Sequence, residues 1–176
     1  MANTYVQIGN TVTVGAGGAS TIAFSSIPST YTDLVIKISA RSTIAGTRQE
    51  IYWNINSDTS SSNYSYTRLI GYDSGSTFSS SYSGVWTDAG TAIDASTATA
   101  NTFSNTELYL SSYAASVAKR ISGDWVAENN SSSAWIAGIS VYLWNNTSAI
   151  NSISFTTGGG NFAQYSTASL YGIKSS

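Results

Sequence analysis

Cysteine and histidine are absent from the 176 residues, proline and methionine occur once each, and charged side chains make up only 9% of the chain. Without Cys and His there is no Ser-His-Asp or Cys-His nucleophile, and no zinc or haem site built from those ligands. Any catalysis would have to run on carboxylate, Tyr or Lys chemistry. The missing cysteines also leave the redox compartment undefined. Seven Lys+Arg stand against nine Asp+Glu, a net charge of −2. That balance offers no basic footprint for a phosphate backbone, so no nucleic-acid partner is expected. The opening MANTYVQIGN lacks the basic and apolar regions of a signal peptide, and no apolar run approaches the ~20 residues that span a bilayer. The expectation is a chain made in the cytoplasm, with no membrane partner.

Hydrophobic residues make up 41% of the chain, and with so little charge this argues for a packed core and against disorder. One domain, residues 1–176, is the reading at this length. Period-2 alternation dominates. Leu34, Ile36, Ile38 and Ala40 share one face of a strand and Lys37, Ser39 and Arg41 the other. The same period fits Ile51, Trp53 and Ile55, and Leu108 with Leu110. In the run 134–144, Trp135, Ala137, Ile139, Val141 and Leu143 alternate with Ile136, Gly138, Ser140, Tyr142 and Trp144. Both faces carry large apolar groups, so this is read as a central strand with one face in the core and the other under a loop or a neighbouring subunit.

Further strands are expected near 11–14, 21–24, 65–72, 121–127, 150–156 and 166–173, separated by Gly, Ser, Asn and Asp clusters. Gly15-Ala16-Gly17-Gly18 reads as a tight hairpin turn, Gly158-Gly159-Gly160-Asn161 as another hairpin connection, and Ile27-Pro28 as a place no strand crosses. The Ser-rich stretches 57–65 and 74–83 read as surface loops. About nine or ten short strands in one domain predict an all-β fold, an antiparallel β-sandwich of jelly-roll type. Residues 1–10 are set apart as an N-terminal arm.

The chemical motifs are weak. The glycines at 15–18 precede a strand and not the helix a dinucleotide loop needs. Asn54, Asn56, Asp58 and Ser60 alternate like calcium ligands, but Thr59 stands where Gly is needed and Ser65 where a bidentate Glu should be. Asp88, Asp94, Glu107, Asp124 and Glu128 are available for paired-carboxylate glycoside hydrolysis, with no spacing that makes any two converge. Lys119-Arg120 reads as solvated or as an edge-strand guard. No enzyme, cofactor or metal site is expected from these patterns.

The 5 Trp, 12 Tyr and 5 Phe are more informative. Tyr64, Tyr66, Tyr72, Phe78, Tyr82 and Trp86 lie in or beside the Ser-rich stretches. Tyr and Trp give rigid amphipathic contact area at low entropy cost, so these six are read as surface contacts for subunits or sugars. In the arm, Tyr5, Val6 and Ile8 are candidates for pairing with an exposed strand edge on a partner.

Three segments carry a resemblance: residues 25–41 (SSIPSTYTDLVIKISAR), 99–114 (TANTFSNTELYLSSYA) and 166–176 (STASLYGIKSS). Together they resemble small β-sandwich virion structural proteins of tailed bacteriophages, of the marine and cyanobacterial phage type. The resemblance implies a capsid decoration (cement) protein bound to the outer head surface. It also implies the major capsid protein as partner and self-association as a homotrimer. Its alternative within the same family is a tail-fibre module recognising host surface polysaccharide. It carries over no catalytic residue.

Overall fold

The computed structural model describes residues 4–72, 74–83, 88–127 and 136–174, with side chains described throughout except at 88–90. Among the described residues thirteen strands follow one another: β1 (Tyr5–Gln7), β2 (Val12–Thr13), β3 (Thr21–Phe24), β4 (Asp33–Ala40), β5 (Arg48–Ile55), β6 (Tyr64–Tyr72), β7 (Thr77–Ser83), β8 (Asp88–Asp94), β9 (Ser104–Leu110), β10 (Lys119–Ala127), β11 (Ile136–Trp144), β12 (Ile153–Thr157) and β13 (Thr167–Ile173). A 3-10 turn, Ser61–Asn63, precedes β6. Among the described residues no helix is long and apolar enough to cross a membrane.

The strands form two antiparallel sheets, so the all-β sandwich expected from the alternation is present. The larger runs β1-β13-β4-β9-β10-β11-β6-β7, with β2 also on β13; the smaller runs β3-β12-β5-β8. Alternation in β4 buries Leu34, Ile36, Ile38 and Ala40 and exposes Lys37 and Ser39. Trp53 of the small sheet meets Tyr142 of the large one edge-on at 5.1 Å and stacks with Phe155 at 6.4 Å. These rings bridge the sheets, and each fully buried large apolar side chain is worth roughly 1.5–3 kcal/mol. A second, smaller core joins Trp125, Ile70, Ala127, Ile136 and Ala92.

Several local readings are corrected. Residues 77–83 form strand β7 and not a loop, because their backbone pairs along the whole of β6 from Ser65↔Ser83 to Gly71↔Thr77. The glycines at 15–18 do not close a hairpin. Val12–Thr13 pair with β13 and Thr21–Phe24 with β12, so this turn carries the chain from one sheet to the other. Gly18 has φ +71°, and a Cβ there would lie 2.9 Å from the Phe162 carbonyl oxygen. The glycines at 158–160 make a second passage of this kind, from β12 to β13. Lys119 is neither solvated nor at an edge. It is buried in β10, between β9 and β11, and its ammonium donates to the Ala115 and Val117 carbonyls, the former at 2.7 Å.

Candidate functional interface

β6 and β7 form one hairpin and β10 and β11 another, and they associate through the β6–β11 pairing into a four-stranded extension of the large sheet. β8 packs against β10 and β11 on the inner side. Gly138 makes this packing possible: it is the cross-strand partner of Trp125, and a Cβ on it would sit 2.5 Å from the indole.

Strand pairing fixes what the outer face presents. One row runs Tyr109, Ser122, Val141, Thr67, Ser81 from β9 to β7, and the next runs Glu107, Asp124, Ile139, Leu69, Ser79. Ile139 is 59% exposed, Val141 57% and Leu69 50%. With Ser122 and Asp124 they line a shallow trough of about 440 Å³. An aliphatic cluster on an otherwise polar sheet face marks a contact surface. The expectation for β11 is therefore met on its core side, and no described loop covers the other.

Toward the opposite edge the outer face becomes aromatic. Tyr5 packs its ring 5.3 Å from that of Tyr171, and Tyr109 donates to Asp33 Oδ2 at 2.6 Å, a bond that raises the Tyr109 pKa. Lys37 pairs with Glu107 at 2.9 Å, and that hydrogen bond raises the lysine pKa. Glu107 and Asp124 are cross-strand partners on this flat face. Asp94 is instead buried, and burial raises its pKa although Thr102 and Ser104 hydrogen-bond to it. Among the described residues no group of three or more acids, His or Cys gathers to hold a metal ion.

The N-terminal candidates separate. Tyr5 and Gln7 are exposed, while Val6 and Ile8 are half-buried and Ile8 packs on the main core. Segment 4–8 pairs with β13, with Ile8 donating to the Leu170 carbonyl at 2.8 Å and Lys174 to the Thr4 carbonyl at 3.1 Å. Backbone groups alternate in an antiparallel pair. The N–H and C=O of Tyr5 and Gln7 therefore point away from β13, toward the sheet edge.

Of the six aromatic contact candidates, Tyr64 and Tyr66 are corrected to core residues. They share the inward face of β6 with Ile70, and all three are buried. The Tyr64 hydroxyl accepts from the Ile55 amide at 3.2 Å and donates to the Asp58 carbonyl at 3.0 Å. Tyr72 is half-buried with the Arg48 guanidinium 5.4 Å above its ring. Phe78 and Tyr82 are exposed, opposite Ile70 and Tyr66, and the Tyr82 ring lies 5.2 Å from that of Tyr66. Trp86, Trp135 and Glu128 lie outside the described residues, and the side chain of Asp88 is likewise not described.

Sequence reasoning missed Leu69 as a surface residue. Its signal was parity: Leu69 falls between Arg68 and Ile70, on the opposite face of β6 from the buried Tyr66 and Ile70. The arrangement defines a two-sheet, all-β protein with exposed aliphatic groups on its outer face. No family model matches the chain, and comparison with curated proteins and with solved structures gives no match.

Proposed function

We propose that this chain is a structural protein of a tailed-bacteriophage virion that decorates the outer head surface and stabilises the shell. It would be made in the bacterial cytoplasm, with the major capsid protein and further copies of itself as partners. The observation that carries the adhesive reading is the β1 edge. Among the described residues no strand pairs with the outward backbone groups of Tyr5 and Gln7, and with the exposed Tyr5 ring they make a template for strand addition. The virion setting rests on the three segments that resemble the phage family.

The strand order is compatible with the jelly-roll reading. With the β6–β7 and β10–β11 hairpins taken as insertions and β1 and β2 as one strand, eight strands remain. Their sheets then run 1-8-3-6 and 2-7-4-5. Jelly rolls of eight strands recur in viral capsid and lectin domains. Fold alone does not assign function.

Co-sedimentation with undecorated capsids tests the proposal. Gln7→Pro removes one outward N–H and leaves the bonds to β13 in place, as edge strands tolerate. Binding by the native chain, lost in Gln7→Pro and kept in Gln7→Ala, is the expected result. Binding that survives Gln7→Pro, or that is absent from the native chain, would contradict docking by this edge.

A second reading, the tail module for host polysaccharide, draws support from Tyr82. Its exposed ring lies 5.2 Å from that of Tyr66, on the face of β7 opposite Ser81, and an exposed tyrosine ring is a stacking platform for sugars. That reading requires glycan binding which Tyr82→Ala abolishes.

A further inference from the structure

The outer face of the inserted hairpins complements itself. Along β10, Arg120 and Asp124 both face outward and are exposed, each two residues from Ser122. At the strand rise they are ~13 Å apart. Neither forms an ion pair among the described residues. Beside them on β11, Leu143, Val141 and Ile139 are the cross-strand partners of Arg120, Ser122 and Asp124. The pattern is therefore positive, neutral, negative along one strand, with an aliphatic row alongside.

We propose that this face binds the same face of a second copy of the chain. The two-fold axis would lie between the stacked sheets and cross the strands at the level of Ser122 and Val141. An isologous contact pairs residue i with j and j with i. Rotation about this axis carries each Arg120 over the other copy's Asp124, closing two ion pairs between the two β10 strands. It also places Val141 against its own counterpart and Ile139 against Leu143. Of the neighbouring charges on this face, Glu107 is already matched by Lys37, and Asp33 accepts from Tyr109.

The opposite signs at equal distances from Ser122 single out a second copy as the occupant. Arg120 and Asp124 each find a complement in that pairing, while Ile139, Val141 and Leu69 leave water together. A face-to-face stack also fits the sheet geometry, since packed sheets align within about 30° at ~10 Å spacing. This pair stands in place of the homotrimer that the family resemblance implies, and it does not depend on the virion assignment.

Sedimentation velocity of the full chain across a concentration series tests it. The native chain is expected to form a dimer. Arg120→Asp and Asp124→Arg, each alone, set like charges face to face and should weaken it about tenfold or more, a change of about 1.4 kcal/mol or greater. The combined exchange in one chain restores opposite pairs and should return the affinity to within about threefold of native. Ile139→Asp should leave a folded monomer, verified by its near-UV circular dichroism. A native chain that stays monomeric, a three-copy species, a dimer indifferent to Ile139→Asp, or a double exchange that fails to rescue would each overturn the proposal.

Discussion

The Trp144 indole donates to Asp58 Oδ2 at 2.8 Å, tying the end of β11 to the turn after β5. The same carboxylate accepts from the Ser60 amide at 2.9 Å and the Asn63 side chain at 2.7 Å. Burial works to raise the Asp58 pKa, but these hydrogen bonds outweigh it and hold the carboxyl below its ordinary value. A group lowered in this way stabilises the fold above its unfolded pKa, about 3.9, and the contribution is lost as pH falls through the lower folded value. Asp58→Asn is expected to flatten the loss of stability below about pH 4, measured by urea unfolding over a pH series. An unchanged acid limb would contradict this role.

Tyr64 sets the opposite limit. Burial pushes its pKa up to about 12, opposed in part by the hydrogen bond from the Ile55 amide. The unfolded phenol ionises near pH 10, so its contribution is complete below that value and is lost as pH rises toward the folded pKa. The slope is at most about 1.4 kcal/mol per pH unit. Tyr64→Phe should remove this slope, at the cost of the Ile55 bond. Alkaline unfolding curves of the two proteins that fall in parallel would argue against it.

Gly138 is predicted to tolerate no side chain. Gly138→Ala would place a methyl 2.5 Å from the Trp125 ring, and overpacking of this kind costs roughly 1–3 kcal/mol. Gly71, with nothing within 4 Å of its hypothetical Cβ, is the control. Gly71→Ala should change thermal stability far less, and equal effects at the two sites would refute the packing account.

Arg41 holds a loop together. Its guanidinium reaches the carbonyls of Ser96, Ala98, Thr99 and Thr102 and the Thr102 hydroxyl at 2.7–3.3 Å. Arg41→Met keeps the stem but strands these acceptors. Leaving a buried polar group unsatisfied costs roughly 1–3 kcal/mol. Hydrogen exchange should accelerate first in residues 96–102, and uniform acceleration over the whole chain would contradict a local role.

Where burial divided by parity, the strands were legible in the sequence. Leu34, Ile36 and Ile38 announced β4, and the two-sided run 134–144 announced a strand with one face in the core and apolar groups on the other. Val35 broke the pattern because it is buried although it shares its face with exposed Lys37, being the cross-strand partner of Tyr109 and Tyr171. β7 was hidden because TFSSSYS is held by backbone pairing, with Phe78 and Tyr82 four apart as the only parity signal. Tyr64 and Tyr66 were misplaced for the neighbouring serines, although their period with Ile70 pointed inward. Arg120 and Asp124 acquire meaning only once the register sets them on one open face.

The capsid-decoration account is tested most directly by counting copies of the chain in purified particles and locating them by low-resolution reconstruction. It predicts copies in the hundreds, arrayed over the outer head. A few copies confined to the tail, or none in the particle, would contradict it.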